Sequence, residues 1–395
     1  MSSNGLASGA INSPVYLDNH ATTPLDPRVL EAMLPFFTSR FGNAAINSHS
    51  FGWEAAAAVE KARRQIALCI GASPQEIVFT SGATESDNLA LKGVAEACSE
   101  KGDHIITAVT EHKAVLDSCH HLEEIGCRVT YLPVGGDGII DLDRLKDGFT
   151  DRTILVSIMA ANNETGVLQP IEEIGKLCRE RGVLFHSDAV QALGKIPLDV
   201  NRAQLDLASL TAHKLYGPKG CGALYVRHDA AVRLVPMIDG GGHEGGLRSG
   251  TLNVPGIVGF GKTCEIAQQE MPEESCRLAG LRNRLRDRLI AALDQITING
   301  SMEHRLPGNL NMSFLDVEGE TLLTGLNDVA LSSGSACSSG KTHASYVLKA
   351  HGLSDEAAGS AIRFGIGRFN TEAEIDYVAG RIIELVKNLR EVSAL

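Results

Sequence analysis

A lysine that follows an apolar run is the first residue of this sequence whose setting indicates chemistry. Lys214 comes shortly after the apolar residues 205–210, and Gly217, Pro218 and Gly220 soon interrupt regular structure beyond it. A lysine at the end of a strand, partly shielded from water, has a lowered amine pKa and becomes a nucleophile toward carbonyl groups. A Schiff base with an aldehyde cofactor needs this property. Taken alone, a loop lysine is more often solvated, so the interpretation depends on the rest of the chain.

Polar motifs stand where successive predicted strands end, upstream of Lys214. They are Thr80 to Ser86, Thr110-Glu111-His112, Asn162-Asn163-Glu164, and His186 to Gln191. The first motif starts a helix at Ala83 and Thr84, and free N–H groups at a helix start bind phosphate. His112 could stack on a planar ring and move protons, and Asp188 could keep a pyridine nitrogen protonated. Each motif also has an ordinary interpretation as a helix cap, a hydrogen-bonded loop histidine or an Asx turn. Their recurrence at strand ends favours a site for pyridoxal phosphate.

Three later segments add candidates. A glycine-rich loop at residues 239–251 carries Arg248 and Thr251, which favour anion binding over a flexible linker. Cys337 lies in a loop of small residues, from which a thiol could reach a bound substrate if it has thiolate character. Arg363 lies in a predicted strand, where its guanidinium could clamp a carboxylate or form a strand-edge salt bridge.

The elements that position these residues alternate between strand and helix from residue 76 onward. Among them the sequence predicts a helix from Ala83 to Ala97, and later in the chain a strand from Asn309 to Phe314. This order predicts an α/β fold with parallel strands covered by helices on both faces, and ligands bind beyond the carboxyl ends of such strands. After Pro255 the pattern changes to a long charged helical region followed by a second α/β unit. We therefore predict a flexible arm at residues 1–14, a large domain at 15–260 and a small domain at 261–395. The N-terminal segment of the large domain is able to pack with the small one.

Composition excludes several functional classes. The chain has 395 residues, 44% of them hydrophobic, and a net charge of -12, which argues against a nucleic-acid partner. No apolar run is long enough to span a bilayer, and the first residues lack the order of a signal peptide. The nine cysteines are scattered without a C-x-x-C pair, as in reduced cytosolic proteins rather than disulfide frameworks or zinc sites. We expect a cytoplasmic protein.

Taken together, the motifs resemble those of the class V aminotransferase family, whose members are fold type I enzymes dependent on pyridoxal phosphate. Within it they are similar to the cysteine desulfurases of nitrogen fixation and iron–sulfur assembly. The resemblance runs from Val15 to about Leu389 and includes residues 16–23, the strand-end motifs above, Ala212-His213-Lys214, residues 248–251 and residues 332–337. It implies a large domain with a mostly parallel seven-stranded sheet, a smaller C-terminal domain, and a homodimer.

The resemblance also implies roles for individual residues. Lys214 would hold the cofactor as a Schiff base, His112 would stack on its ring and transfer protons, and Cys337 would receive sulfur. The cofactor-binding set would be Ala83, Thr84, His112, Asn163, Asp188, Gln191, Thr211, His213, Lys214 and Thr251, with Thr251 arriving from the second subunit. Within this set, Gln191 and Asn163 would hold the phenolic oxygen of the cofactor and the substrate side. The substrate-binding set would be Asn163, Arg363 and Asn19. No resident metal is expected, although Cys337 could contact an iron–sulfur cluster transiently.

Several alternatives stay open at this point. The expected reaction is L-cysteine to L-alanine, with a persulfide left on Cys337 and then passed to a sulfur acceptor such as an iron–sulfur scaffold protein. A selenocysteine lyase or cystine lyase shares most of the motifs, and a non-catalytic assembly factor would keep the fold alone. A nicotinamide dehydrogenase fits poorly, because no G-x-G-x-x-G follows a first strand. His243 stands where the family usually has glutamine, and residues 41–45 also depart from the family pattern.

Overall fold

The computed structural model describes residues 13–229, 232–333 and 344–393. The strands are β1 (Val15–Tyr16), β2 (Ile77–Thr80), β3 (His104–Ala108), β4 (Arg128–Leu132), β5 (Thr153–Ser157), β6 (Leu184–Asp188), β7 (Leu207–Thr211), β8 (Gly222–Val226), β9 (Ile296–Ile298), β10 (Asn309–Phe314), β11 (Val329–Ala330) and β12 (Ala361–Gly365). The helices are α1 (Pro27–Met33), α2 (Ser50–Cys69), α3 (Ala83–Ala97), α4 (Lys113–Glu124), α5 (Leu142–Gly148), α6 (Ile171–Arg181), α7 (Val254–Ala292), α8 (Gly319–Gly325), α9 (Tyr346–Ala350), α10 (Asp355–Gly359) and α11 (Glu372–Ser393).

A seven-stranded sheet with the order β2-β8-β7-β6-β5-β3-β4 forms the larger part of the fold. Strands β3 to β7 pair in parallel, whereas β8 runs antiparallel to both of its neighbours. The prediction of an α/β fold with a mostly parallel sheet is confirmed. The antiparallel β8 was not expected, and it follows the site lysine by a short connection that leaves no room for a crossover helix.

The central strands are buried on both faces, and alternate residues supply two cores. Ile106, Val156 and Phe185 belong to a core beneath α2 and α7, while their neighbours Ile105 and Leu155 face a second core beneath α3 and α4. Period-2 alternation between two apolar cores is what a parallel sheet covered by helices requires. The sheet is therefore a rigid support whose carboxyl edge presents its loops to one side.

The C-terminal part has its own core and two smaller sheets. The antiparallel sheet has the order β12-β10-β9, and β1 pairs in parallel with β11. Val15 and Leu17 from the start of the described chain are buried in this core. Helix α7 crosses between the two parts, since its residues up to Ala267 pack in the large-sheet core and those from Leu278 pack in the C-terminal core. The domain boundary predicted after residue 260 lies inside this helix.

None of the helices in the described part of the chain combines the length and apolarity needed to cross a membrane.

Candidate active site

A cavity of about 600 Å³ lies at the carboxyl edge of the large sheet. Parallel strands bring their following loops to the same edge, so residues far apart in the sequence meet there. The lining includes Ala83 and Thr84 at the start of α3, His112 at the start of α4, Asn163, Asp188 and Gln191, Thr211, His213 and Lys214 after β7, and Arg363 from β12. Nine of the ten residues that we predicted for cofactor binding therefore line one cavity.

The Lys214 amine lies in a partly buried position beside backbone carbonyls. Its Nζ donates to the carbonyl oxygens of His20, at 2.7 Å, and Ala21, at 2.5 Å. Burial and the charge of Arg363 lower the pKa of Lys214 to about 8, against the opposing effect of the carboxylates of Asp18 and Asp188. A larger fraction of this amine is therefore neutral near pH 7 to 8 than in an ordinary lysine, as a nucleophile toward a carbonyl requires.

Asp188 is one of three buried carboxyl groups beneath the cavity. It ends β6, and the backbone N–H of Val190 donates to its Oδ1 at 3.0 Å. Burial raises the pKa of Asp188, but His112 and Lys214 oppose that effect. Burial also raises the pKa of Asp87 and of Glu111 well above their usual range. Of the three, only Asp188 lines the cavity, so it is the carboxyl group that could stabilise a protonated ring nitrogen there.

The part of the cavity lined by the start of α3 suits an anion. Helix α3 starts at Ala83 directly after Gly82, which has no capping side chain, so its first N–H groups face the cavity without a protein acceptor from the cap. Gly222 lies close behind, where an added Cβ would meet Gly82 Cα at 2.6 Å. His213 Nδ1 lies 3.2 Å from Thr22 Oγ1, and burial together with the charge of Lys214 lowers the pKa of His213 to about 4. His213 is therefore neutral near pH 7.

Arg363 and Asn163 line a third part of the cavity. Arg363 donates from one terminal nitrogen to Asp18 Oδ1 at 2.7 Å and from the other to the carbonyl oxygen of Asn163 at 3.0 Å. Its Nε is buried and has no hydrogen-bond partner among the described residues, and neither does the side-chain oxygen of Asn163. Buried polar groups without partners in an otherwise packed protein mark where a ligand completes the hydrogen bonding.

Four predicted residues fall outside this arrangement or outside the described structure. Thr251 is exposed and does not line the cavity of its own chain. Arg248, which the sequence suggested for phosphate, instead pairs with Glu85 at 2.8 Å. Asn19 donates its amide to the carbonyl oxygen of Gly365 at 2.8 Å and lines a separate small cavity. Cys337 lies outside the described residues.

The described residues on either side of the Cys337 segment are fixed near the cavity. The backbone N–H of Arg363 donates to the carbonyl oxygen of Ser332 at 2.8 Å. On the other side, Ser345 Oγ donates to Glu164 Oε2 at 2.5 Å, and Tyr346 OH donates to the carbonyl oxygen of Glu111 at 2.6 Å. One flank therefore attaches to Arg363, and the other attaches to the sequence neighbours of Asn163 and His112.

Sequence reasoning missed three residues of the site. Asp18 pairs with Arg363, His20 lines the cavity, and Lys195 contacts Gln191 from behind. For Lys195 a signal was available, since it follows Gln191 by four residues and two residues so spaced approach one another in a helical turn. For His20 the available signal was its position in the strand-end motif that begins at Tyr16.

The residues present fit pyridoxal phosphate. The cavity is lined by a lysine of lowered pKa, a buried carboxyl group, a helix start, and Asn163 and Arg363, which carry unpartnered polar atoms. An aldehyde, a pyridine nitrogen and a phosphate would each find a group of suitable chemistry.

The chain belongs to the class-V aminotransferase family, whose model matches residues 15–378. Enzymes of this family and cysteine desulfurases depend on pyridoxal phosphate. Among its relatives, the cysteine desulfurase IscS of Anaeromyxobacter sp. (strain Fw109-5) is 60% identical over 382 residues, covering 97% of this chain and 95% of the relative. The enzyme of the same name from Rickettsia conorii is 55% identical over 97% of this chain and 93% of the relative.

Solved structures agree with these relatives. A NifS-like protein superposes with a TM-score of 0.88 at 41% identity, covering 95% of this chain and 99% of that one. A second structure, described as SspA in complex with cysteine, has a TM-score of 0.79 at 37% identity and covers 90% of this chain and all of its own. The fold and the family predicted from the sequence are confirmed.

Proposed function

We infer that this chain is a cysteine desulfurase dependent on pyridoxal phosphate, which converts L-cysteine to L-alanine and leaves the sulfur as a persulfide on Cys337. The observation that carries the proposal is the convergence of Lys214, Asp188, His112 and Arg363 on one cavity. Relatives named cysteine desulfurase at 55–60% identity, and a structural neighbour described with cysteine bound, support the choice of substrate.

When bound, pyridoxal phosphate supplies an electron sink for the substrate carbon atoms, and the protein orients the reacting groups. Lys214 supplies the amine that attaches the cofactor, and the same amine can afterwards move a proton. Asp188 would face the ring nitrogen and stabilise its protonated form. His112 lies at the start of α4, where its Nδ1 accepts from the backbone N–H of Ala114 at 3.2 Å, leaving Nε2 to face the cavity contents. Ala83, Thr84, Thr211 and His213 surround the phosphate end.

Arg363 is proposed to bind the substrate carboxylate. Its guanidinium has five N–H groups, of which two hydrogen-bond to Asp18 and Asn163, so N–H groups remain for a carboxylate. The guanidinium is 4% exposed, and the exclusion of water makes a charge-assisted pair effective there. The paired arrangement with Asp18 also fixes the plane of the guanidinium before substrate arrives.

Cys337 is proposed as the sulfur acceptor. In the balanced step, its thiolate attacks the sulfur of the substrate, the substrate C–S bond breaks, and an S–S bond forms. The substrate carbon takes a proton to give alanine, so cysteine and an enzyme thiol become alanine and an enzyme persulfide without any external oxidant. The attachment of Ser332 and Ser345 beside the cavity supports this role, because both flanks of the segment start from the site.

A homodimer is proposed on two independent features. Large apolar side chains of the N-terminal helices and the loop after them stand exposed, including Phe37 at 61%, Phe41 at 67% and Trp53 at 58%. Clustered exposed aromatic residues are typical of a protein interface. Thr251 lies outside its own cavity, as expected of a residue that serves the second subunit. From the dimer, sulfur would pass to an acceptor such as an iron–sulfur scaffold protein.

The test is alanine formation with L-cysteine, selenocysteine and cystine supplied separately to the purified enzyme with pyridoxal phosphate. The proposal expects turnover of L-cysteine by the wild type and none by Lys214→Ala. Lys146→Met is the matched control, because Lys146 is on the surface of α5 and pairs only with Asp143 among its described contacts. Turnover of selenocysteine or cystine without turnover of L-cysteine would replace the proposal with a lyase.

A further inference from the structure

We propose that Lys195 is a positioning residue that acts through Gln191, holding the Gln191 amide in the orientation that leaves one N–H group for the main cavity. The inference deepens the proposed function, since it rests on pyridoxal phosphate binding in that cavity. It adds a role for a lysine that lies behind the site and that neither the motifs nor the mechanism above uses.

Hydrogen bonding determines the orientation of the amide. Lys195 Nζ donates to Gln191 Oε1 at 2.9 Å, and His20 Nδ1 lies 3.0 Å from the same oxygen. The other amide atom of Gln191 approaches the backbone oxygen of His20, which only accepts, so the atom that meets Lys195 is the carbonyl oxygen of the amide. Gln191 Nε2 therefore points the other way, where it donates to the backbone oxygen of His20 at 3.0 Å. This bond uses one of its two N–H groups.

The same contacts determine which ring nitrogen of His20 carries the hydrogen. Because His20 Nδ1 approaches an acceptor, it carries the hydrogen, and Nε2 is the unprotonated nitrogen. His20 is 3% exposed, and Nε2 has no hydrogen-bond partner in the described part of the chain. Burial, followed by the charge of Lys195, lowers the pKa of His20 well below its usual value, so the ring is neutral. Lys195, Gln191 and His20 thus form one ordered network whose cavity-facing members are Gln191 and His20.

Lys195 cannot act on the cavity contents directly. It lines a second, separate cavity of about 20 Å³ together with Tyr216 and Glu274, and it is absent from the lining of the main cavity. Ser275 Oγ donates to its backbone oxygen at 2.8 Å, which ties it to helix α7. Burial and the charge of Lys214 lower the pKa of Lys195 to about 7, and a lysine amine donates to an amide oxygen whether or not it is charged.

The network has a predictable effect on a bound cofactor. By the family resemblance, Gln191 faces the phenolic oxygen of pyridoxal phosphate, and a fixed N–H donor there favours the ionised oxygen. Removal of Lys195 leaves the Gln191 amide free to turn, which weakens this donor and raises the pH at which the bound cofactor loses its proton.

The experiment compares Lys195→Met with wild type by two readouts that do not depend on turnover. The first is the pH midpoint of the visible absorption band of the bound cofactor, which we expect to rise by about half a unit to one unit. The second is the dissociation constant of pyridoxal phosphate, which we expect to increase about five-fold. Lys146→Met serves as the surface control and should change neither. Should the methionine variant fail to fold, Lys195→Gln is expected to shift both readouts in the same direction.

A double-mutant cycle decides whether Lys195 acts through Gln191. In a Gln191→Ala background, Lys195→Met should shift the cofactor midpoint much less than it does in the wild type, because the amide is gone. Full additivity, or a Lys195→Met variant with lowered stability but an unchanged midpoint, would overturn the proposal. A wild type that takes up no pyridoxal phosphate would overturn the proposed function and this inference together. Uptake by the wild type with no change in the variant overturns the inference alone.

Discussion

Replacing Arg363 with glutamine should weaken the binding of L-cysteine far more than it slows the reaction of bound substrate. The guanidinium is almost fully buried, with 4% of its side chain exposed, and its partner Asp18 is 19% exposed. Glutamine preserves part of the length and can still donate to the carbonyl oxygen of Asn163. It removes the positive charge and the planar fork that a carboxylate needs.

The size of the effect follows from the bonds that are lost. A hydrogen bond between charged groups contributes about 1.5–3 kcal/mol. Because the Arg363 side chain is shielded from water, solvent screening reduces the energy of its hydrogen bond to a carboxylate only slightly. Losing one such interaction raises KM about 10- to 150-fold, since every 1.4 kcal/mol is about a factor of ten. Because a carboxylate clamp acts on ground state and transition state alike, kcat should change much less.

The assay is alanine formation over a range of L-cysteine concentrations, with cysteamine as a second thiol amine that has no carboxylate. Carbon–sulfur cleavage of cysteamine, followed as sulfide released in the presence of a reductant, reports the reaction without the clamp. Arg363→Lys is the matched variant, because it keeps the charge beside Asp18 and loses the fork. We expect the order wild type, Arg363→Lys, Arg363→Gln for kcat/KM on L-cysteine, and nearly equal values on cysteamine.

Two results would refute this reasoning. One is an equal fall in kcat/KM for both substrates, which would mean that Arg363 supports the fold or the cofactor instead of the carboxylate. The other is a fall in kcat with KM unchanged, which would place Arg363 in the chemical step.

Three further predictions concern the lysine, the backbone and the assembly. The rate at which the apoprotein attaches pyridoxal phosphate should rise with pH, with a midpoint near the pKa of Lys214, about 8, because only the neutral amine attacks. Stopped-flow absorbance measures this rate, and a midpoint near the ordinary pKa of lysine would contradict the prediction. Gly166→Ala should lower the free energy of unfolding by about 2–4 kcal/mol, because Gly166 has a φ of +72° and an added Cβ would meet the Asn309 side chain at 2.4 Å. Gly182→Ala is the control, because the space around Gly182 is open, and it should lower the free energy of unfolding by only about 1 kcal/mol. Urea titrations measure both values, and equal losses would contradict the clash. Mixing Lys214→Ala protomers with Thr251→Ala protomers should restore activity through heterodimers that carry one intact site, and no recovery despite confirmed subunit exchange would contradict shared sites.

Local patterns predicted much of the large sheet. The helix at Ala83–Ala97 and the strand at Asn309–Phe314 agree with the structure to the residue. Both are bounded by turn-forming residues and filled with apolar residues of a clear period, so local signals sufficed. The predicted strand ends were close enough to the observed ones to identify the residues that line the cavity, because the loops that follow parallel strands lie at one edge of the sheet.

Contacts between distant segments could not be predicted in the same way. Strand β8 pairs antiparallel with β2 and β7, and its register depends on a partner more than a hundred residues away. The partners of Asn19 and Arg248 are likewise set by tertiary packing. Asn19 carried a sequence expectation of substrate binding, yet its amide is occupied by the carbonyl oxygen of Gly365. A residue type and its motif do not determine which of several nearby polar groups it will meet.

The most direct test of the proposed reaction is the mass of the Cys337 peptide after incubation of the holoenzyme with L-cysteine. The account predicts a gain of one sulfur atom on Cys337, and no such gain in the Cys337→Ala variant, which should keep its bound cofactor and lose alanine formation by about a hundred-fold or more. Cys276→Ala is the control, because Cys276 is an exposed cysteine of the described chain away from the cavity lining, and it should still form the persulfide. Persulfide on Cys276 or another cysteine instead of Cys337, or undiminished alanine production by Cys337→Ala, would contradict the account.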